Sequence, residues 1–111
     1  MFTYKATITH VVDGDTVDAT VDLGFGVFVK RRFRLRDIDT PEIFHPTYKG
    51  ERLQGKAAKA DAVKLLLNKD VILLSGKDQG KYGRWLADIT VNDTDFADEM
   101  KRLGHTKPRL S

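Results

Sequence analysis

The fold class is decided by residues 3–35, which read TYKATITHVVDGDTVDATVDLGFGVFVKRRFRL. Residues 3–12 are rich in β-branched and aromatic side chains and stop at an Asp-Gly pair that favours a turn. Residues 16–22 alternate between two faces with a period of two, which is typical of a half-buried strand. A glycine-containing turn then leads into residues 27–35, where strand character continues. The stretch predicts three short strands joined by turns.

The remaining sequence predicts one long helix, two more strands and a last helix. Apolar residues recur at spacings of three and four over residues 52–68, whereas residues 71–75 and 85–91 have the composition of strands. Thr94 is a candidate N-cap of the last helix, and Gly104 suits the position just after its end.

The core-facing side of the long helix is predicted from its apolar stripe. The stripe consists of Leu53, Ala57, Ala60, Val63 and Leu67. Gly55 lies within the same stretch, and its low helix propensity favours a helix start at Gln54 or Gly55.

These elements predict a mainly β fold with helices, in the order β-β-β-α-β-β-α. Five short strands with a helix between the third and the fourth are typical of an OB-fold barrel, whose closure removes exposed strand edges. Neither an internal repeat nor a linker interrupts residues 1–111. We therefore expect one five-stranded OB-fold domain.

Composition narrows the class of protein. The 111-residue chain has no cysteine, which excludes disulfides and thiolate metal sites. No run approaches 18 apolar residues, and the first residues lack the apolar core of a signal peptide. We expect a soluble monomer without a membrane partner. With no targeting signal to assign its compartment, it is cytoplasmic by default.

Charge is distributed unevenly along the chain. Residues 1–29 carry a net charge of −3, whereas residues 30–36 carry +5 and residues 49–69 carry +4. Acidic and basic blocks in one small domain indicate a polyanionic partner together with a cluster that binds cations. The alternative is that these blocks are solvated faces of a strand and a helix.

Three motifs carry candidate chemistry: DGDTV at residues 13–17, FRLRDIDTPE at residues 33–42 and KYGR at residues 81–84. Each has an ordinary structural explanation when taken alone, as a hairpin turn, a set of surface ion pairs and a basic turn. In the second motif, Pro41 disfavours a helical Thr40 and predicts an extended loop. His10, His45 and His105 lack the spacing of metal ligands.

Together, the three motifs in this order on a β-barrel resemble the staphylococcal nuclease (thermonuclease) family over residues 4–107. The resemblance implies a calcium-dependent endonuclease that hydrolyses phosphodiester bonds of DNA and of RNA with low sequence specificity and leaves 3′-phosphate ends. It also implies a C-terminally short member, since the tyrosines that follow the last-helix glycine in longer members have no counterpart and Leu110 stands near one of their places.

The resemblance implies a role for each matching residue. It implies that Ca²⁺ is bound by Asp15, Asp39 and the carbonyl of Thr40, with Asp13 as an outer-shell acid. Glu42 would act as the general base. The scissile phosphate would be bound by Arg34 and Arg84, and a neighbouring phosphate would be contacted by Lys81 and Tyr82. Planar guanidinium groups suit phosphate oxygens, and calcium prefers oxygen ligands. The alternative function is a non-catalytic OB-type module that binds nucleic acid or protein.

Overall fold

The computed structural model describes residues 1–80 and 83–108 of the chain. Its elements in chain order are β1 (Phe2–Asp13), β2 (Thr16–Gly24), β3 (Val27–Leu35), α1 (Glu51–Leu66), β4 (Asp70–Ser75), β5 (Trp85–Val91), β6 (Thr94–Asp95) and α2 (Phe96–Arg102). No helix in the described ranges is long and apolar enough to cross a membrane.

Five of the strands close into a barrel. β1 pairs antiparallel with β2 and β4, β2 with β3, and β4 with β5, while a parallel pairing of β3 with β5 closes the circle. The prediction of a mainly β fold with a five-stranded OB-fold barrel is confirmed. A sixth strand, β6, pairs with the end of β5 over only two residue pairs, too short to leave a periodic signal in the sequence.

The barrel interior and the helices that cover it form one hydrophobic core. Its largest fully buried apolar side chains are Phe96, Ile8, Leu35, Leu66, Leu73 and Met100. Because β1, β3, β4 and both helices contribute to this set, burial of the core fixes the positions of the loops at the end of the barrel.

The predicted core face of α1 is wrong. Leu53 is 73% exposed, and Ala57 and Ala60 are also exposed, so most of the predicted stripe lies outside the core. The buried residues of the helix are instead Glu51, Gly55, Ala58, Ala62 and Leu66. The barrel accepts a face of small residues because they allow the helix axis to approach it closely.

Close approach also explains why α1 begins at Glu51 and contains Gly55 in its interior, contrary to the predicted start. A Cβ atom at Gly55 would lie 2.7 Å from the carbonyl oxygen of Pro41. At Gly14, between β1 and β2, a Cβ would lie 2.9 Å from the Cβ of Ala58. Both glycines let the helix pack directly on loops at one end of the barrel.

The last helix differs from the prediction at its first turn. Thr94 belongs to β6, and Asp95 caps α2 by accepting a hydrogen bond of 3.0 Å from the backbone N–H of Asp98. Gly104 follows the helix with φ of 85°, which confirms its predicted position. His105 lies 2.6 Å from the Asp61 carboxylate and thereby joins the end of α2 to α1.

Candidate active site

The turn between β1 and β2, the loop after β3 and the segment before β5 enclose a cavity of about 610 Å³. Six of the nine predicted site residues line it, namely Asp13, Asp15, Arg34, Asp39, Glu42 and Arg84. Thr40 is buried beside it, and Lys81 and Tyr82 lie outside the described residues. The structure thus brings together side chains from three segments that are far apart in the sequence.

Asp15 is a buried carboxylate held by hydrogen bonds from two sides. Its Oδ2 accepts from the backbone N–H of Thr40 at 3.0 Å, and its Oδ1 accepts from the Thr16 hydroxyl at 3.1 Å. The first of these bonds ties the β1–β2 turn to the loop after β3. The residue is only 5% exposed, so its orientation is set by the fold before any ligand binds.

Arg34 lies between the two predicted metal-binding carboxylates. Its Nη2 is 3.4 Å from Asp15 and 3.3 Å from Asp39, while its Nη1 donates to the backbone carbonyls of Leu35 and, at 2.6 Å, of Ile38. The carbonyl contacts anchor the guanidinium at the end of β3. Its positive charge offsets the repulsion between two neighbouring carboxylates.

The carboxylate of Asp13 adds to the crowding of negative charge. Burial raises the pKa of Asp13 to about 7, and the adjacent Asp15 carboxylate contributes to the rise. The turn nevertheless stays closed, since the backbone N–H of Asp15 donates to Asp13 at 3.1 Å. A site that raises the pKa of a carboxyl group in this way favours a bound cation.

Glu42 is positioned by a second glutamate that the sequence analysis missed. The backbone N–H of Glu42 donates to the Glu51 carboxylate at 2.7 Å, and the N–H and hydroxyl of Thr47 donate to it at 2.5 and 3.0 Å. Lys107 lies 3.3 Å from the same carboxylate. Glu51, at the start of α1, therefore holds both ends of the loop that carries Glu42.

Burial would raise the pKa of Glu51, but the hydrogen bonds from Thr47 and Glu42 outweigh it and lower the pKa to about 2. Glu51 is therefore ionised in the folded protein at neutral pH. The sequence does place a glutamate directly after Gly50, at the start of the helix. A favourable interaction of its charge with the helix N-terminus explains that position equally well, so the sequence alone does not predict the contact with the Glu42 loop.

Arg84 reaches the cavity from the residue before β5. Its Nη1 donates to the Thr16 hydroxyl at 3.3 Å, and that hydroxyl in turn donates to Asp15. Thr16, which the sequence analysis did not single out, thus links the second arginine to the buried carboxylate. Arg34 and Arg84 reach the same cavity from β3 and from the segment before β5, a placement suited to holding one phosphate group.

Two other arginines of the basic block at residues 30–36 have different surroundings. Arg32 forms an ion pair of 2.7 Å with Asp18, and Arg36 forms one of 3.0 Å with Asp88. The first pair joins β3 to β2, and the second joins the residue after β3 to β5. Arg32 does not line the cavity, whereas Arg36 lines it while paired with Asp88.

The donor atoms near the cavity fit a hard cation. Asp15 and Asp39 offer carboxylate oxygens, and the predicted third ligand, the carbonyl of Thr40, is also an oxygen. Within residues 1–80 and 83–108, no three Asp, Glu, His or Cys side chains are placed to hold a metal ion together. The predicted set contains only two such side chains, and Arg34 lies between them.

Comparison with known proteins decides the family. A family model described as staphylococcal nuclease homologue matches residues 32–107. The chain belongs to the staphylococcal nuclease family. Within that match lie Arg34 and Arg84 as well as Asp39, Thr40 and Glu42, while the turn that carries Asp13 and Asp15 precedes it.

An uncharacterized protein of Bacillus anthracis is similar to this chain. It is 32% identical over 105 residues, an alignment that covers 93% of this chain and 46% of that protein. The chain therefore spans about half the length of the relative. The staphylococcal nuclease family relationship agrees with the predicted resemblance and with the closed barrel, and it relates the chain to nucleases.

Proposed function

We propose that this chain is a calcium-dependent endonuclease that hydrolyses phosphodiester bonds of DNA and of RNA with low sequence specificity. The observation that supports it most strongly is the convergence of Arg34, Arg84, Asp15, Asp39 and Glu42 on one cavity. An anionic phosphodiester needs positive charge around it before a nucleophile can approach, and this cavity combines cations with carboxylates.

In the proposed reaction, Arg34 and Arg84 bind the oxygens of the scissile phosphate. A guanidinium group stays charged at any working pH and presents two N–H groups in one plane, so it can bind two phosphate oxygens at once. The two arginines offset the negative charge that grows on phosphorus during attack. Contacts of this kind carry no base information, which agrees with low sequence specificity.

Asp15, Asp39 and the carbonyl of Thr40 would hold the calcium ion. When bound, a calcium ion supplies positive charge next to the phosphate and binding places for water. Arg34 contacts both carboxylates, at 3.3 and 3.4 Å, and balances part of their charge. A cation held there would share the neutralisation of both carboxylates with the Arg34 guanidinium.

Glu42 acts as the general base in this proposal. It accepts a proton from a water molecule as the water oxygen bonds to phosphorus, while the bond from phosphorus to the 5′ oxygen breaks. The leaving oxygen takes up a proton from solvent water and becomes a 5′-hydroxyl, and the phosphate stays on the 3′ end. The hydrogen bond from the Glu42 backbone to Glu51 keeps this loop in place during the step.

The proposal extends to the whole chain. We infer that residues 1–111 act as one domain and as a monomer, with Asp13 as an acid in the outer shell of the metal site. Lys81 and Tyr82 remain proposed contacts to a neighbouring phosphate. The family relationship supports nucleic acid as the partner.

Digestion of plasmid DNA, with calcium and with excess chelator, tests this function. We expect cleavage with calcium, none with EGTA, and loss of cleavage in Arg84→Ala and Asp15→Asn. Full activity in excess EGTA and EDTA would contradict the calcium mechanism. A protein that binds the DNA but fails to cut it in calcium would instead be the non-catalytic binding module.

A further inference from the structure

A second cavity, of about 240 Å³, opens at the end of the barrel where β1 and β3 begin. We call it the aromatic cavity, because Tyr4, Phe33 and Trp85 line it. Phe33 is buried, whereas Tyr4 and Trp85 are half-buried. Its volume is below the range of about 300–1,000 Å³ typical of sites for drug-sized ligands, so it suits one flat ring system.

Two cations stand at the rim of this apolar space. Arg31 and Lys77 both line the cavity and are exposed. The Arg31 guanidinium donates to the carbonyl of Lys30 at 2.8 Å, and the Lys77 ammonium lies 4.8 Å from the centre of the Phe2 ring. Neither forms an ion pair with a carboxylate in the described part of the chain, in contrast to the neighbouring Arg32.

An aromatic interior with cations at its rim matches a ligand that joins a flat ring to an anion. Nucleotides have this composition, and bases stack on aromatic side chains whatever their sequence. The apolar lining alone would also accept other ring compounds. The exposed charges of Arg31 and Lys77 favour one whose ring carries phosphate.

The aromatic cavity and the candidate active site meet at the line where β3 pairs with β5. Phe33 pairs with Trp85 and Arg34 pairs with Leu86. Successive side chains of a strand point to opposite faces, so Phe33 faces the aromatic cavity while Arg34 faces the active site.

A single strand of nucleic acid can reach from one site to the other. The pairing of β3 with β5 covers only residues 33–35 and 85–87, and the described structure shows no β5 partner for residues 27–32. Arg31 precedes Arg34 by three residues, or about 10 Å along the strand. A stacked single strand covers this distance in about three nucleotides.

We propose that the aromatic cavity holds a base of the substrate strand, about three nucleotides from the phosphate bound at Arg34 and Arg84. The base stacks on Trp85 and Tyr4, and Arg31 and Lys77 bind the phosphates beside it. This subsite rests on the proposed nuclease function, because it extends the same substrate strand. It gives longer substrates an affinity that dinucleotides lack.

Fluorescence tests the subsite directly, since Trp85 is the only tryptophan of the chain. The probes are hexathymidylate and dithymidylate, added in EDTA so that no cleavage occurs. We expect hexathymidylate to quench the emission and dithymidylate at the same concentration to leave it unchanged. Tyr4→Leu keeps an apolar side chain but removes the ring, and it should weaken hexathymidylate binding about tenfold, while Tyr4→Phe restores it.

Comparison of Arg31 with the adjacent Lys30 controls for the loss of a positive charge. Arg31→Ala should weaken hexathymidylate binding several-fold more than Lys30→Ala, because Lys30 is the adjacent cation but does not line the cavity. Equal effects of the two variants would overturn the subsite. So would binding of labelled hexathymidylate without a change in Trp85 emission, or equal quenching by both probes.

The outcomes separate this inference from the proposed function. Quenching by hexathymidylate in a protein that fails to cut plasmid DNA with calcium would support the subsite and refute the nuclease. Cleavage without quenching would support the nuclease and refute the subsite.

Discussion

Replacement of Gly55 by alanine tests whether the approach of α1 to the loop after β3 positions Glu42. A Cβ at residue 55 would lie 2.7 Å from the Pro41 carbonyl oxygen, 2.9 Å from Cγ1 of Ile43 and 3.0 Å from the Glu42 carbonyl carbon. Two of these three atoms belong to the backbone, so rotation of a side chain cannot relieve the contact. The loop that carries Glu42 must move away by about 0.7 Å to restore an ordinary van der Waals distance to the Pro41 carbonyl oxygen.

The magnitude follows from two opposing effects. Alanine in place of glycine within a helix stabilises by about 1 kcal/mol, whereas overpacking costs about 1–3 kcal/mol. We expect Gly55→Ala to lower the free energy of unfolding by about 1 kcal/mol. A displacement of 1 Å can cost about a hundredfold in rate, so a shift of about 0.7 Å should lower kcat by about 10- to 100-fold.

Urea unfolding and cleavage of a labelled oligonucleotide measure the two effects. Ala57→Gly is the control, because Ala57 is exposed on the same helix and the change costs about 1 kcal/mol through helix propensity alone. It should leave kcat unchanged. If Gly55→Ala raises stability and keeps full activity, the close approach of helix and loop does not position Glu42.

Three further predictions concern the charges of the site. Arg84→Lys keeps the charge but loses the planar pair of donors, so kcat should fall about 10²–10³-fold, whereas Arg102→Lys on α2 should not change it. The pKa of Glu51 falls from an ordinary value of 4.5 to about 2 in the folded protein. Its ionised form therefore stabilises the fold above pH 4.5, and this stabilisation is lost as the pH falls from 4.5 towards 2. Urea unfolding should therefore show Glu51→Gln less stable than wild type at pH 7 and equally stable near pH 2; a constant difference would refute the role of its charge. Because phosphate contacts dominate binding, KM for a single-stranded oligonucleotide should rise steeply with added salt, and a flat profile would contradict the proposed arginine contacts.

The strands and the loops that follow them could be predicted because their signals are local. The Asp-Gly pair at residues 13–14 and Pro41 each act on neighbouring backbone, and they place Asp15 and Asp39 in loops at the ends of strands. Period-two alternation likewise predicts that Arg34 lies on the face of β3 opposite Phe33 and Leu35. These features depend on residues close together in the sequence, and the barrel then brings the loops together.

The features that sequence analysis missed depend on distant partners. α1 buries Ala58 and Ala62 instead of Leu53, because the barrel surface around Gly14 leaves room only for small side chains. The hydrogen bond between the Glu42 backbone and Glu51 joins residues nine positions apart, and it forms only because the loop folds back on the start of α1. Neither the size of a packing space nor a returning loop leaves a periodic signal in the sequence.

The calcium dependence of phosphodiester cleavage in carboxylate variants tests the central claim most directly. Cleavage of a 5′-labelled oligonucleotide would be measured over a calcium titration for wild type, Asp39→Asn and the control Asp93→Asn, an exposed residue with φ of 62° that asparagine also accepts. We predict that Asp39→Asn needs at least about tenfold more calcium for half-maximal cleavage, and that Asp93→Asn matches wild type. The same calcium requirement in all three proteins, or cleavage that persists in excess EGTA, would contradict a calcium-dependent nuclease at this cavity.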